Sequence, residues 1–168
     1  MMKKAVFVLL AIVFSVLQIT VTWHFKLGWH NYSLALCAVI VISSLDLKTG
    51  LISAGVSGFL IDCIIGRSVG LNLLILLLSS LAVSAMSRGM NSKKLPVVLV
   101  VTFVITFATE FVQYWLYLAV NGSGNISFAL TKIIFPQAFI NLIAVIPVYL
   151  VIKSLWKKLR MQKERWEY

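Results

Sequence analysis

Two carboxylates, Asp62 and Glu110, lie inside long apolar stretches of this sequence. An ionisable side chain within a membrane is expensive, so each one needs a physical reason for its position. Three uses are open: the acids bind helices to one another, they line an outward-facing pocket or partner site, or they carry a proton or ion.

The residues that follow Asp62 are typical of a tight turn between two apolar segments. A glycine-flanked arginine, Gly66-Arg67, is followed by Gly70 and Asn72, which open the next apolar run. Glycine adopts backbone angles closed to other residues. Asp62 is therefore predicted to accept hydrogen bonds from the turn backbone, from Arg67 or from Asn72, in a mainly structural role.

Glu110 and Asn141 lie at similar depths in their segments. With a helical rise of about 1.5 Å per residue, Glu110 is about 15 Å and Asn141 about 12 Å from the outer border. We therefore expect a hydrogen bond between them. The outer half of the membrane is predicted to hold a polar set consisting of Asp62, Asn72, Glu110, Gln113, Gln137 and Asn141.

Catalytic patterns are lacking in the sequence. Its two histidines, His24 and His30, fall in one predicted outer loop, without a serine nucleophile pattern or a metalloprotease motif. Cys37 and Cys63 have no metal-site spacing and are predicted to be unpaired packing residues. We expect a non-enzymatic protein without cofactor or metal.

The composition predicts a single membrane domain. Of 168 residues, 61% are hydrophobic and only 12% are charged, which a soluble domain of this size cannot accommodate. The formal net charge of +10 comes from basic residues at the borders of apolar runs. These positions indicate membrane topology and anionic lipid headgroups rather than nucleic acid.

Six apolar segments predict an all-α protein with six transmembrane helices. Their predicted bounds are Ala5–Trp23, Tyr32–Leu47, Leu51–Ile65, Val69–Met86, Pro96–Val120 and Ile133–Ile152. The second and third are short for a bilayer that needs about 20 residues. Tilted spans and a re-entrant hairpin both remain open for this pair.

The distribution of lysine and arginine places both termini in the cytoplasm. In a six-span arrangement, twelve of the fifteen basic residues lie inside and three lie outside. The basic tail Lys153–Tyr168 is either an amphipathic helix on the inner leaflet or an ordinary positive-inside end. Asp46, beside Lys48, is predicted to be a solvated charge at the inner border.

Small residues in the third segment predict close helix packing. Ala54 and Gly58 are four residues apart, as are Ser53 and Ser57. This spacing lets helices approach closely. The face either packs at the centre of the bundle or binds a partner's helix.

These motifs, taken in order, resemble the MreD family of rod-shape-determining proteins. The resemblance rests on Gly58-Phe59-Leu60-Ile61-Asp62, Gly66, Gly70-Leu71-Asn72, Thr109-Glu110-Phe111, Phe135-Pro136 and Asn141. It extends from about residue 50 to residue 153, and the first 45 residues add no motif.

The resemblance implies a scaffold of the bacterial cell-elongation machinery in the cytoplasmic membrane, supporting lateral peptidoglycan synthesis. Its implied partners are a bitopic MreC-like protein, RodA with its class B penicillin-binding protein, and MreB. The implied fold resembles the substrate-capture components of energy-coupling-factor transporters. Capture of a small solute such as a vitamin is therefore the alternative function.

Overall fold

The structure is a computed structural model that describes residues 2–24, 33–65, 70–87, 94–121 and 126–165. These residues are helical almost throughout, which confirms the predicted all-α class. The helices are α1 (Met2–His24), α2 (Leu34–Leu45), α3 (Leu47–Ile65), α4 (Leu71–Ser87), α5 (Leu95–Asn121), α6 (Ile126–Ala129), a π-helix (Leu130–Ile134) and α7 (Phe135–Arg165).

The helical stretch that contains the last predicted segment is longer than that segment at both ends. Helix begins at Ile126, inside the predicted outer loop, and continues through the π-helix into α7. Residues 153–165 then extend α7 instead of forming a separate element. They are mostly good helix formers and include no glycine or proline, so nothing in their sequence ends the helix.

Three of the described helical stretches are long and apolar enough to cross a membrane: Leu47–Ile64, Leu95–Leu116 and Ile126–Lys158. Three shorter apolar stretches accompany them: Ala5–Thr20, Leu34–Leu45 and Leu71–Met86. The chain is thus a helical membrane protein. That all six segments cross the bilayer stays a prediction.

Helix α2 is the centre of the bundle. Every residue from Ala35 to Ser43 is buried, as expected for a helix that is apolar on all sides. One face of α2 packs against α1, α5 and α7, and another packs against α3, α4 and α5. Because neighbouring helices enclose α2, its 12 residues do not have to match the full thickness of the bilayer.

The small-residue face of α3 is used within the chain. Ser53, Ala54 and Ser57 are fully buried, and α3 packs against α1, α2 and α4. On the opposite face, Ile52 and Phe59 are exposed. The predicted close packing of this face within the bundle is therefore confirmed, and neighbouring helices of the same chain cover the surface that a partner's helix would need.

Candidate functional site

Asp62 caps the beginning of α4 from its position near the end of α3. Its carboxylate accepts hydrogen bonds from the backbone N–H groups of Gly70 at 3.0 Å, Asn72 at 3.2 Å and Leu73 at 3.0 Å. The Asn72 side-chain amide donates a fourth bond at 2.9 Å. The first N–H groups of a helix have no partner within the helix, and a carboxylate there also favours the helix dipole.

Gly70 forms the backbone turn that leads into α4. Its φ of +90° is one that other residues rarely adopt. Its carbonyl accepts the first bond of α4, from the Leu74 N–H at 3.0 Å. The predicted bonds from Asp62 to the turn backbone and to Asn72 are confirmed, whereas Gly66 and Arg67 lie outside the described residues.

Close packing of α3 on α4 brings the acid to the helix end. A Cβ at Gly58 would overlap the Leu73 backbone, with the Leu73 nitrogen only 2.9 Å away. Ala54, one turn earlier on the same face, is fully buried. Small residues at both positions therefore let α3 and α4 approach closely, so that the Asp62 carboxylate reaches the first N–H groups of α4.

The predicted bond between Glu110 and Asn141 is wrong. Glu110 instead accepts a hydrogen bond from the side-chain amide of Gln137, with 2.7 Å between Nε2 and Oε1. Gln137 lies one helical turn before Asn141 on the same face of α7. The link between α5 and α7 is thus real, but it is formed one turn from the predicted position.

The turn before Gln137 is widened at Pro136. The Phe135 N–H bonds to the Leu130 carbonyl, five residues back, which is the π-helical pattern. Proline has no N–H, and its ring clashes with the carbonyl four residues earlier in a regular helix. The wide turn accommodates Pro136 and sets the register in which Gln137 meets Glu110.

Asn141 joins α7 to the beginning of α2. Its Oδ1 accepts a bond from the Ser33 N–H at 2.9 Å, while the Ser33 hydroxyl accepts one from the Leu36 N–H at 3.3 Å. A further α2 donor, the Ala35 N–H, bonds to Oε1 of Gln18 on α1 at 2.9 Å. Side chains from two other helices therefore cap α2.

Sequence reasoning missed Gln18, Ser33 and Asp46. Gln18 is a lone amide in an apolar run, and a polar residue in such a place is itself a signal. Asp46 is half-buried, and its carboxylate accepts bonds from the Thr49 N–H at 3.2 Å and the Thr49 hydroxyl. It caps α3, so its prediction as a merely solvated charge is wrong; Asp-x-x-Thr before an apolar run is a recognisable cap signal.

A small cavity lies among these groups and is lined by residues of α1, α2, α3, α4 and α5. Its volume is about 30 Å³. We call it the polar chamber, after the polar residues that line it: Gln18, Ser33, Asn72, Thr109, Glu110 and Gln113. Asn72, Glu110 and Gln113 belong to the polar set predicted from depth, so part of that set does meet in space.

The class that these features define is a helical membrane protein in which acidic and amide side chains, among them Gln18, Asp62, Glu110 and Asn141, join helix to helix. The sequence model of the family described as rod shape-determining protein MreD matches residues 1–159. With all but the last nine of its 168 residues matched, the chain belongs to the MreD family. Searches of curated proteins and of solved structures gave no match, so the likeness to solute-capture components stays a prediction.

Membership of this family gives the protein a role in rod-shape determination. The motifs that suggested the family, from Gly58 to Asn141, all lie within the matched residues. Several of them now have a structural use. Gly58 admits α4, Asp62 and Gly70 build the start of α4, and Glu110 binds α7.

Proposed function

We propose that the protein is a non-enzymatic, multi-pass scaffold of the elongation machinery in the bacterial cytoplasmic membrane. The observation that carries this proposal is the use of the intramembrane acids. Asp62 is bonded to the beginning of α4, and Glu110 is bonded to Gln137 of α7. Carboxylates that join one helix to the next in this way support a structural role.

The proposed partners are those of the family resemblance. A bitopic MreC-like protein binds the scaffold directly, and RodA, its class B penicillin-binding protein and MreB belong to the same assembly. Anionic lipid meets the basic inner border, where Lys94, Lys157 and Lys158 are exposed. The assembly supports lateral peptidoglycan synthesis, and the synthetic chemistry belongs to the partners.

The polar chamber is smaller than the pockets that bind small organic molecules. Pockets for small organic molecules measure about 300–1,000 Å³, whereas the chamber measures about 30 Å³. Among the described residues, no group of three or more His, Cys, Asp or Glu side chains is placed to hold a metal ion. The small volume of the chamber supports the scaffold over capture of a solute at this position.

Co-purification in mild detergent tests the proposal. Tagged protein is co-expressed with the MreC-like protein of the same bacterium, and an unrelated single-span protein carrying the same tag serves as the control. We expect a complex that withstands size-exclusion chromatography with the MreC-like protein alone. Depletion of the scaffold should also turn rods into rounded cells.

Two results together would overturn the proposal. One is a monodisperse, folded preparation that fails to bind the MreC-like protein. The other is saturable binding of a vitamin by that same preparation, measured by equilibrium dialysis. The pair would favour solute capture despite the small chamber.

A further inference from the structure

The polar chamber holds more hydrogen-bonding capacity than the described bonds use. The Gln18 side chain accepts a bond from Ala35 through Oε1, which leaves the donors of its amide nitrogen. Asn72 donates to Asp62 through Nδ2, which leaves its carbonyl oxygen. Glu110 uses Oε1 for Gln137, which leaves its second oxygen. Polar groups that line such a cavity commonly find partners in bound water.

The mixture of these groups identifies the ligand class. A cation requires acceptors alone, but Gln18 presents donors. The chamber also adjoins the first turns of α2 and α4, at Ser33 and Asn72, where the helix dipoles are positive and disfavour a cation. Water is both donor and acceptor, and it meets both conditions.

The volume agrees with water. One water molecule needs about 10–15 Å³ of such space and two to four polar partners, and the chamber offers about 30 Å³. We propose that the polar chamber is a hydration site inside the membrane domain. It binds about two water molecules, which connect Gln18 of α1, Asn72 of α4 and Glu110 of α5.

Hydration explains how the half-buried carboxylate of Glu110 is kept between the helices. Gln137 satisfies one oxygen of Glu110, and water in the chamber satisfies the other. The same water joins α1 to α5 without a direct side-chain bond. A hydration site of this kind does not require a partner protein. Its test is therefore separate from the test of the scaffold proposal.

Hydroxyl-radical footprinting by synchrotron X-rays tests the site in the intact protein, because the radicals form from water and oxidise the side chains beside it. Leu36 and Leu76 are only 3% and 4% exposed, yet both line the chamber. Ile40 and Val83 lie on the same two helices, are fully buried and do not line it. We expect Leu36 and Leu76 to be oxidised at least five-fold faster than Ile40 and Val83.

A variant that fills the polar chamber with an apolar side chain identifies the source of the radicals. Thr109→Leu places a larger, apolar side chain against the chamber and should lower the oxidation of Leu36 and Leu76 to the rate of Ile40. Ala108→Leu, its neighbour on the exposed face of α5, is the matched control and should leave that oxidation unchanged.

Either of two results overturns the proposal. One is equal, low oxidation of all four side chains in the unaltered protein, which would show a dry chamber. The other is rapid oxidation of Leu36 and Leu76 that persists in Thr109→Leu, which would show that the radicals arise elsewhere. Circular dichroism establishes that the variants are folded before either comparison is made.

Discussion

At the scale of single residues, four acidic and amide side chains of this membrane domain bind donors at helix ends. Asp46 caps α3, Asp62 caps α4, and Asn141 and Gln18 bind donors at the beginning of α2. The first N–H groups of a helix have no partner within the helix, and each one left unpartnered inside a membrane protein is costly. The acids thus offset a cost that the fold itself creates.

Replacement of Asp62 should therefore lower stability before it alters activity. Asp62→Ala removes the acceptor of four hydrogen bonds, and loss of a cap costs about 0.5–2 kcal/mol. We expect a lower midpoint of unfolding in a detergent titration, a lower protein level in cells and, through that level, impaired rod shape.

The neighbouring substitution Cys63→Ser is the matched control for Asp62→Ala, because Cys63 is exposed. It should leave both the midpoint and the protein level unchanged. Normal abundance of Asp62→Ala together with lost rod shape would instead give Asp62 a direct role in function.

A double-mutant cycle should detect the bond between Glu110 and Gln137. Interhelical hydrogen bonds in membranes contribute about 0.6 kcal/mol on average and up to about 1.7 kcal/mol. We expect a coupling energy in this range for Glu110→Ala with Gln137→Ala, from unfolding free energies in detergent. The cycle with Asn141→Ala in place of Gln137→Ala should give a coupling near zero, and the reverse order of the two values would contradict the structure.

The sequence predicted short-range partners better than long-range ones. Asp62 and Asn72 are separated by one turn between helices, so the chain itself brings them together. Glu110 and Gln137 are joined across two helices, and a depth estimate cannot distinguish Gln137 from Asn141 one turn away. Gln18 was overlooked because its partner is a backbone N–H of α2, which no side-chain motif records.

At the scale of helices, the α3–α4 contact depends on the absence of a side chain. Gly58→Ala places a methyl group against the Leu73 backbone, which cannot move without shifting α4. Overpacking of this kind costs about 1–3 kcal/mol. We expect a lower unfolding free energy for Gly58→Ala, measured by the same detergent titration.

Gly55 supplies the matched control for this prediction. It lies in the same helix, and a Cβ there would meet nothing within 4 Å. Alanine is a better helix former than glycine by up to about 1 kcal/mol, so Gly55→Ala should leave stability unchanged or raise it. Equal losses from both substitutions would mean that α3 and α4 are not in close contact.

The apolar runs of the sequence predict that helices exist. The last helix shows why the same runs do not predict where a helix begins and ends. The residues before Pro136 looked like loop because Lys132 and the preceding glycines interrupt the apolar pattern. The structure joins them to α7 through a π turn. Hydropathy gives no signal for such a turn, since it is a response to proline geometry and packing.

At the scale of the whole molecule, the asymmetry of basic residues predicts the orientation in the membrane. Twelve lysines and arginines against three should hold both termini in the cytoplasm. Reporter fusions at Gly28 and Gly124 are expected to read outside, and a fusion at Asn91 inside. An outside signal at Asn91 would contradict the six-span arrangement.

The burial of α2 has a consequence for biogenesis. The helix is 12 residues long, about 18 Å, and is synthesised before most of the helices that cover it. Its bond from Ser33 to Asn141 joins residues 108 positions apart. At about 5–20 residues per second, the ribosome needs about 5–20 seconds to make that partner. During this interval the Ser33 N–H lacks its partner on α7, and the face of α2 that α7 covers is enclosed only when α7 has been made.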